Sequence, residues 1–482
     1  MQFNFKTQPY DHQREVFDAS WDKHAHALFL EMGTGKTKVT IDTMAKLFCE
    51  GEITSALVIA PKGVYGNWVN KEIPQHLGDD IPVKVVQWQP SFTQAFKKQL
   101  NEVADKKDTK HLRILVMNVE SFSTKKGTDV AAKFLRLNPA SLVAVDESTS
   151  IKNRTAKRTK SIMALGELAK YRRILTGSPI TKNPMDLYAQ CAFLGPRMLE
   201  QPSYYAFQGR YAVMQTRKFG NRSFQQITGY RNLGELNVLL DGFSSRVLKE
   251  DCLDLPEKIY TQRSVPLTKE QASAYKQMQD MALAMLEKGE LATTQSVLTQ
   301  IMRLQEICCG HLKTDDGDIQ AIPSNRMNEM LNVVSEMNGK VIIWASWVYD
   351  IEQIEKELSA AYGPSTVRTF YGATAPDARD QIVADFQDPD SEVRFFVANP
   401  RTGGYGLTLT AATNMIYYNN QYDLEIRLQS EDRAHRIGQT QHVLYVDLVS
   451  PDTVDEKIIK ALKDKIDIAQ EVLGESAKKW LI

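Results

Sequence analysis

Short apolar runs separated by longer amphipathic stretches are the main pattern along the chain. Each run is rich in β-branched, aliphatic or aromatic residues, as expected for strands that are buried on both faces of a parallel sheet. The clearest runs are residues 56–60, 114–117, 142–145, 341–344, 395–398, 415–418 and 443–448. Because amphipathic helical patterns lie between them, the fold class is predicted to be α/β, with two parallel-sheet lobes.

The stretch between the two sets of runs, residues 193–312, has a different character. Helical patterns such as KEQASAYKQMQDMALAMLEKGEL dominate it, with one strand-like piece at residues 259–267. We expect a first lobe at residues 1–195, with a strand at 255–267 returning to it. A helical insertion with a linker follows at 196–320, and a second lobe with C-terminal helices at 325–482. The segment TDDGDIQAIPSN, rich in Gly, Pro and acidic residues, is the predicted linker.

Composition narrows the choice of partner. Lys plus Arg and Asp plus Glu both number 59, so no net charge attracts polyanions and a nucleic-acid partner must be held by a local patch. No run of about 18 apolar residues occurs, which predicts no membrane span and a cytoplasmic location. Five cysteines are too few for a disulfide framework. Cys308 and Cys309 with His311 could suggest a metal site, but two buried helix cysteines are the favoured interpretation.

A phosphate-binding loop is predicted where the sequence reads EMGTGKTKVT. The residues expected to bind ATP there are Gly33, Thr34, Gly35, Lys36 and Thr37. Glycines let backbone N–H groups turn toward phosphates, Lys36 would reach the β- and γ-phosphates, and the Thr37 hydroxyl would bind Mg²⁺. Leu30 stands where the full motif has its first glycine, so an ordinary glycine turn is the alternative.

Two carboxylates follow the apolar strand in LVAVDEST. Charges at the end of a buried strand are unfavourable unless they are paired or bind a metal. Asp146 is therefore expected to hold Mg²⁺ and Glu147 to orient and deprotonate the attacking water. A helix cap or a surface Asp-Glu pair is the alternative interpretation.

A series of motifs in fixed order resembles the superfamily-two helicase ATPases, and the Swi/Snf branch in particular. It includes LEMGTGKT, ALVIAPKGVYGNW, VAVDEST, RRILTGSPITKNP, VIIWASW, FFVANPRTGGYGLTLTAATNMIYYNN and LQSEDRAHRIGQ. The resemblance implies two RecA-like lobes with ATP and Mg²⁺ in the cleft and double-stranded DNA lying across both. A chain this short is expected to be a motor-only, monomeric form, compatible with a bacterial or phage source.

Further site residues follow from the resemblance alone. Gln13 would read adenine, although an exposed polar residue at a helix start is equally compatible with its type. The residues implied to couple the ATP site to DNA are Thr176, Gly177, Ser178 and Gln429. Gly404 and Gly406, beside Arg401, match the second-lobe loop. Arg433 and Arg436 match arginine fingers; they are expected on one helical face, with Gly438 ending that helix.

A basic stretch after the acidic pair is the predicted nucleic-acid track. Its cations, opposed only by Glu167, are Lys152, Arg154, Lys157, Arg158, Lys160, Lys170, Arg172, Arg173 and Lys182. A solvated helix face is the alternative to phosphate contact. Further DNA-binding candidates are Lys62, Asn118, Trp347, Arg401 and Tyr422. Trp347 fits buried packing as well as base stacking, and Tyr422 replaces the family's tryptophan.

The sequence therefore predicts an ATP-dependent translocase on double-stranded DNA, with little sequence preference because no base-reading module is visible. The rival within the enzyme class is a strand-separating or annealing helicase acting on forks, recombination intermediates or RNA. The rival from another class is a nucleotide-gated DNA-binding scaffold with a vestigial ATPase.

Overall fold

The computed structural model describes residues 1–219, 222–252, 255–287, 294–314, 316–403 and 407–473. The chain forms two compact units. The first comprises residues 1–217, 223–254 and 467–482, and the second comprises residues 218–222 and 255–466. Gly404 and Gly406 of the predicted second-lobe loop lie outside the described residues.

A parallel seven-stranded sheet is the centre of the first unit. Its strands are β1 (Ala25–Leu30), β2 (Ser55–Ala60), β3 (Val83–Gln87), β4 (Leu112–Asn118), β5 (Ser141–Asp146), β6 (Tyr171–Leu175) and β9 (Ser244–Val247). A separate two-stranded sheet, made of β7 (Ala212–Phe219) and β8 (Arg222–Tyr230), comes between β6 and β9 along the chain. The strand order is β3-β4-β2-β5-β6-β1-β9. Strands β2 and β5 are buried along their whole length, as their unbroken apolar sequences predict.

Helices cover both faces of this sheet. They are α1 (Asp11–Ser20), α2 (Lys36–Cys49), α3 (Tyr65–Asn67), α4 (Ile73–His76), α5 (Gln94–Val103), α6 (Lys125–Leu137), α7 (Lys157–Gly166), α8 (Asp186–Leu194), α9 (Tyr204–Tyr211), α10 (Leu233–Asp241) and α11 (Lys249–Cys252). A π-helical turn spans Trp68–Glu72, and short 3₁₀ helices span Val119–Ser123 and Ser148–Ile151. Buried side chains of alternate strand positions fill two separate cores, one on each face.

The second unit has its own parallel sheet of six strands, in the order β10-β17-β16-β13-β15-β14. These strands and a small antiparallel pair are β10 (Lys258–Ser264), β11 (His311–Lys313), β12 (Ile319–Ala321), β13 (Lys340–Trp344), β14 (Val367–Phe370), β15 (Phe395–Ala398), β16 (Ala412–Tyr417) and β17 (Val443–Val449). The helices are α12 (Lys269–Glu287), α13 (Thr294–Cys309), α14 (Arg326–Glu336), α15 (Val348–Tyr362), α16 (Pro376–Gln387), α17 (Pro400–Gly403), α18 (Leu424–Glu431) and α19 (Val454–Leu473). Within the described ranges, no helix is both long and apolar enough to span a bilayer.

The predicted strand at residues 255–267 does not return to the first lobe, so that expectation was wrong. Strand β10 pairs in parallel with β17 over its whole length, from Lys258 opposite Val443 to Ser264 opposite Val449. The strand that does return to the first sheet is β9, which pairs with β1. Four residues, SSRV, carry too little periodicity to mark a strand, which is why the longer β10 was assigned there.

The predicted insertion and linker also differ from the structure. Residues 193–312 contain the two-stranded sheet β7–β8 in addition to helices, and the segment predicted as a linker contributes β12, which pairs with β11. Gly317, at φ 94°, allows the tight turn between these two strands. Asp315 of this segment lies outside the described residues. Cys308 and Cys309 are buried free cysteines at the end of α13, as predicted.

Candidate nucleotide site and basic surface

The loop between β1 and α2 has the backbone that a phosphate loop needs. Gly33 and Gly35 have φ values of 86° and 99°, which only glycine adopts without strain. Helix α2 begins at Lys36, directly after Gly35, and Thr37 lies in its first turn. The unbonded N–H groups of this turn and the helix dipole favour an anion at this end of α2.

Gln13 of helix α1 holds this loop in place. Its Nε2 donates to the Thr34 carbonyl oxygen at 3.2 Å, and its Oε1 accepts from the Tyr10 backbone N–H at 3.2 Å. A Cβ atom on Gly35 would lie 2.2 Å from Gln13 Nε2, so the side chain packs directly against the glycine. Gln13 therefore anchors the phosphate loop through its amide, and its contact with adenine stays a prediction.

Strand β5 delivers the two predicted carboxylates to the same place. Lys36 Nζ lies 3.5 Å from Glu147 Oε1, with both side chains about nine-tenths buried. Asp146 Oδ2 accepts from the Trp68 indole N–H at 2.9 Å, and Asp146 Oδ1 accepts from the Glu147 backbone N–H at 3.0 Å. Burial and then the adjacent Glu147 carboxylate raise the pKa of Asp146 above its ordinary value. A second cation beside Lys36 would stabilise the ionised form of Asp146 and so lower this pKa.

Glu147 has a backbone conformation that is unusual for a residue with a side chain. Its φ of 46° and ψ of 64° lie in the left-handed region. Thr176 Oγ1 donates to Glu147 Oε2 at 3.4 Å and accepts from the Ser178 backbone N–H at 3.2 Å. Thr176, one of the predicted coupling residues, is thus in contact with the predicted base. A strained residue held by its neighbours in this way is typical of a functional site.

Sequence reasoning missed three residues that support the site. Trp68 orients Asp146, as described above. Arg246 of β9 donates from Nη1 to the carbonyl oxygens of Phe29 at 2.8 Å and Gly177 at 2.9 Å. The backbone N–H of Lys249 donates to Glu31 Oε2 at 2.7 Å. Strand β9 and helix α11 therefore fix the start of the phosphate loop and the Thr-Gly-Ser turn, although nothing local in the sequence marks these residues.

The residues present fit a magnesium nucleotide. The ammonium of Lys36 and the N-terminus of α2 suit phosphate, while Thr37 and Asp146 offer oxygen ligands of the kind that Mg²⁺ prefers. No group of three or more His, Cys, Asp or Glu side chains that could hold a metal occurs in the described ranges. In a magnesium–nucleotide site the phosphates and water supply most of the ligands, so few protein oxygens are needed.

The two predicted arginine fingers lie in the second unit, but not on a helix. Helix α18 ends at Glu431, so the expectation that Arg433 and Arg436 share a helical face was wrong. The Arg433 carbonyl accepts from the Leu409 N–H instead of from a following helical turn, and Arg433 Nε donates to the Gln429 carbonyl at 2.8 Å. Gly438, at φ 99°, lies in the turn beyond.

Both arginines nevertheless reach the same atom. Arg433 Nη1 and Arg436 Nη1 donate to the Leu407 carbonyl oxygen, at 3.0 and 3.3 Å. Arg433 is 2% exposed, whereas Arg436 is half-buried. Gln429, the remaining coupling candidate, is buried, and its Nε2 donates to Glu425 Oε1 at 3.3 Å. The sequence thus predicted a group of residues that the structure brings together in a turn rather than along a helix.

Three cations of the predicted basic track bond to other residues of the first unit. Arg173 is 1% exposed and donates to the carbonyls of Ser20 and Trp21, while Arg172 donates to those of Phe193 and Leu194. Lys170 pairs with Glu52. Because Arg173 is buried, its charge does not reach the surface, and its inclusion in the track was wrong. The DNA contacts of Lys170 and Arg172 stay predictions.

Of the remaining cations of the track, Lys182 is exposed beyond β6, and the others lie between β5 and the middle of α7. Lys152 Nζ donates to Thr181 Oγ1 at 2.6 Å. Arg154 stacks on tyrosines, Arg158 is half-buried, and Lys157 and Lys160 are exposed. Lys62 is exposed after β2, and Asn118 Nδ2 donates to Glu120 Oε2 at 3.1 Å.

The DNA candidates of the second unit have mixed surroundings. Trp347 packs against the unit's core, with its ring 5.6 Å from that of His311 in an edge contact. Tyr422 is half-buried beside α18 and α19. Arg401 is exposed, and its Nε donates to Gln421 Oε1 at 3.0 Å. Their DNA contacts stay predictions.

The glycine loop at the end of β1, the buried Asp-Glu pair at the end of β5 and a second parallel-sheet unit define the class of helicase-like ATPases. The chain belongs to the SNF2-related family: the SNF2-related domain matches residues 12–312, and the helicase conserved C-terminal domain matches residues 325–438. Both the predicted fold class and the predicted family are therefore confirmed.

Individual relatives are similar over nearly all of this chain. "Putative ATP-dependent helicase/translocase YwqA" of Bacillus subtilis is 24% identical over 462 residues, covering 94% of this chain and 46% of that protein. The ISWI chromatin-remodeling complex ATPase CHR11 of Arabidopsis thaliana is 27% identical over 460 residues, covering 92% and 40%. The chain thus spans less than half the length of these relatives.

Among solved structures, the Sulfolobus solfataricus SWI2/SNF2 ATPase core in complex with dsDNA is 24% identical, with a TM-score of 0.43. The match covers 99% of this chain and 100% of that one.

Proposed function

We propose that this protein is an ATP- and Mg²⁺-dependent translocase that moves along double-stranded DNA without strong sequence preference. The observation that carries the proposal is the cluster of Lys36, Asp146 and Glu147. It puts a phosphate-binding cation, a metal-binding carboxylate and a candidate base in one buried place, with Lys36 Nζ 3.5 Å from the Glu147 carboxylate. In a member of the SNF2-related family, such a cluster is best explained by hydrolysis of ATP.

The roles of these residues follow from their chemistry. Lys36 binds the terminal phosphates, and Mg²⁺, when bound, neutralises charge on the β- and γ-phosphates. Asp146 holds the metal ion, directly or through water. Glu147 orients the attacking water and accepts its proton, while Thr176 keeps the Glu147 carboxylate in position through its hydroxyl.

Arg433 and Arg436 are proposed to act on the transferring phosphoryl group. The proposal rests on their motif and on their shared contact with Leu407, which follows directly on the loop at 404–406. A guanidinium can form two hydrogen bonds to phosphate oxygens and stabilises charge that develops in the transition state. Arg436 is the better candidate for a direct role, because Arg433 is almost fully buried among backbone carbonyls.

Double-stranded DNA is the proposed track for two reasons. The exposed cations after the acidic pair suit phosphates, which all sequences share. Relatives of this chain carry the names helicase/translocase and chromatin-remodeling ATPase. A strand-separating helicase of the same superfamily remains the second candidate.

Steady-state phosphate release with different nucleic acids tests this proposal. We expect blunt duplex DNA to stimulate hydrolysis more than single-stranded DNA, forked DNA or RNA of equal nucleotide content. Stimulation should rise with duplex length, because a motor on a longer track spends more of its time bound. Glu147→Gln serves as the inactive control. A larger response to single strands or RNA would contradict duplex tracking, and no hydrolysis at all would favour a vestigial ATPase.

A further inference from the structure

Arg154 has an aromatic setting that the nucleotide site does not explain. Its guanidinium carbon lies 4.2 Å from the ring centre of Tyr204 and 5.2 Å from that of Tyr205. Arg154 Nη2 also donates to the Tyr205 hydroxyl oxygen at 3.3 Å. The two tyrosine rings meet edge to face, at 5.7 Å. We call Arg154, Tyr204 and Tyr205 the arginine clamp.

The clamp holds its cation by aromatic rings instead of by a carboxylate. Among the residues that the structure describes, Arg154 forms no ion pair. Cation–π contact positions a guanidinium without neutralising it, so its charge remains available to an anion. Tyr205 is 70% exposed, which is unusual for so large a ring in a folded chain. The clamp therefore presents a fixed positive charge beside an open aromatic face.

The segment that carries Arg154 is rich in cations. Residues 148–166, which carry Arg154, have five cations and no Asp or Glu. Residues 201–234, which carry both tyrosines, have no Asp or Glu, although Glu200 and Glu235 border them and Arg210 pairs with Glu235. Lys157 and Lys160 are exposed on α7, just after Arg154. A protein of zero net charge thus places a run of cations next to Arg154, as expected of a surface for a polyanion.

The clamp also lies close along the chain to the proposed catalytic base. Arg154 follows Glu147 by seven residues, through the 3₁₀ helix Ser148–Ile151 and Lys152. Both therefore lie beyond the carboxyl end of β5, the edge at which ligands of parallel sheets bind. Ser203 caps α9 by accepting from the Ala206 N–H, so the helix that carries the tyrosines has a fixed start.

We propose that the arginine clamp is a contact for the backbone of duplex DNA, with Arg154 binding a phosphate and the exposed Tyr205 packing on the adjoining sugar. Tyr204 is a positioning residue that keeps the Arg154 guanidinium in place. This inference rests on the proposed function, because it names one surface by which the translocase would hold its track. It adds Tyr204 and Tyr205, which sequence reasoning did not single out.

The test compares DNA-stimulated ATPase activity of the full chain with that of Arg154→Gln, Tyr205→Ala and Tyr205→Phe. The duplex concentration for half-maximal stimulation is measured at several salt concentrations. Arg136→Gln is the matched control, because Arg136 is exposed at the end of α6, before β5 begins. Helix and strand run in opposite directions, so Arg136 lies at the other edge of the sheet.

Loss of one phosphate contact should raise the half-saturating duplex concentration about tenfold near 0.1 M salt and reduce the salt slope by about one. Arg154→Gln is expected to show both changes, with the rate at saturating DNA within about twofold of the parent, since binding and not chemistry is lost. Tyr205→Ala should raise the half-saturating duplex concentration but change the salt slope little. Tyr205→Phe should have a half-saturating concentration closer to that of the parent.

A purely structural clamp would behave differently. Arg154→Gln would then lower the melting temperature without changing the salt slope, and that result would overturn the inference. The inference would also be overturned if Arg154→Gln and Arg136→Gln raised the half-saturating duplex concentration equally. It would be overturned as well if Arg154→Gln responded to duplex like the parent but no longer bound a polyglutamate peptide. If the parent itself shows no stimulation by duplex, the proposed function fails; if the parent is stimulated and the clamp variants match it, the inference alone fails.

Discussion

The indole N–H of Trp68 donates to Asp146 Oδ2 at 2.9 Å, across 78 positions of sequence. Trp68 is 1% exposed and begins the π-helical turn Trp68–Glu72, an element that is rare and often found at functional sites. With the Glu147 N–H on Oδ1, each oxygen of Asp146 has one donor and keeps a lone pair. The carboxylate is therefore held in one orientation, as the proposed role in binding Mg²⁺ requires.

Trp68→Phe should weaken the use of Mg²⁺ by the enzyme. Removing a hydrogen bond that orients a metal ligand typically costs about 10- to 100-fold in metal affinity. We expect the Mg²⁺ concentration for half-maximal ATP hydrolysis to rise by about tenfold, as measured by titration at fixed ATP. Trp88→Phe, also in the core of the first unit, is the matched control. Equal Mg²⁺ curves for the two variants would show that Trp68 only packs.

Lys36→Ala and Glu147→Gln should separate binding from chemistry. Lys36→Ala is expected to lose nucleotide affinity and turnover together, because its ammonium binds the ground state and the transition state. Glu147→Gln should still bind ATP, while hydrolysis falls by about two or more orders of magnitude, as expected for a lost general base. Fluorescent-nucleotide binding and phosphate release measure the two effects. Turnover by Glu147→Gln near the parental rate would mean that Glu147 is not the base.

Arg436→Ala should leave ATP binding largely intact and reduce DNA-stimulated hydrolysis by about three orders of magnitude, the scale of an arginine finger. Arg433→Ala should be similar or milder in hydrolysis, but it also removes the buried bonds to Gln429 and Leu407 and should unfold more readily. Arg379→Ala is a matched control in the second unit, where Arg379 Nε donates to the Thr374 carbonyl. Normal stimulated turnover in Arg436→Ala would remove this residue from the reaction.

Acid should destabilise the fold through His26 of β1. Burial, and then Arg173 and Lys23, lower the pKa of His26 from 6.5 to about 4. A lowered pKa means that the folded state resists protonation. The resulting stability is fully present above pH 6.5 and is lost as the pH falls toward 4.

Urea unfolding of the full chain and of His26→Gln, at pH values from about 7.5 to about 4.5, measures this effect. The parent should lose up to about 3 kcal/mol more than the variant over this range. The two chains share every other titrating group, such as Asp42, so their difference isolates His26. Parallel pH curves would contradict the assignment.

The sequence predicted those features whose residues are contiguous along the chain. The runs that became β2, β4 and β5 were read correctly, because a strand buried on both faces is apolar throughout. Lys36, Asp146 and Glu147 were found because a glycine loop and an acid pair are contiguous motifs. The 3.5 Å approach of Lys36 Nζ to the Glu147 carboxylate follows from parallel strands ending at one edge.

Other features depended on contacts between distant segments. Trp68 looks like any core aromatic until β2 and β5 are adjacent, and Arg246 acquires a role only when β9 pairs with β1. The end of α18 was missed for the same reason. The Arg433 carbonyl accepts a hydrogen bond from the Leu409 N–H, 24 residues earlier in the chain. The helical pattern around Arg433 does not predict this bond, because Leu409 lies outside it.

The central claim, movement along intact duplex DNA, is tested most directly by displacement of a triplex-forming third strand. The substrate is a long duplex with the third strand near one end, and a forked duplex of equal length is examined in parallel. The account predicts displacement of the third strand that requires ATP, Mg²⁺ and Glu147, and that weakens with salt as phosphate contacts are screened, while the fork stays paired. Efficient unwinding of the fork, or hydrolysis of ATP without displacement of the third strand, would contradict it.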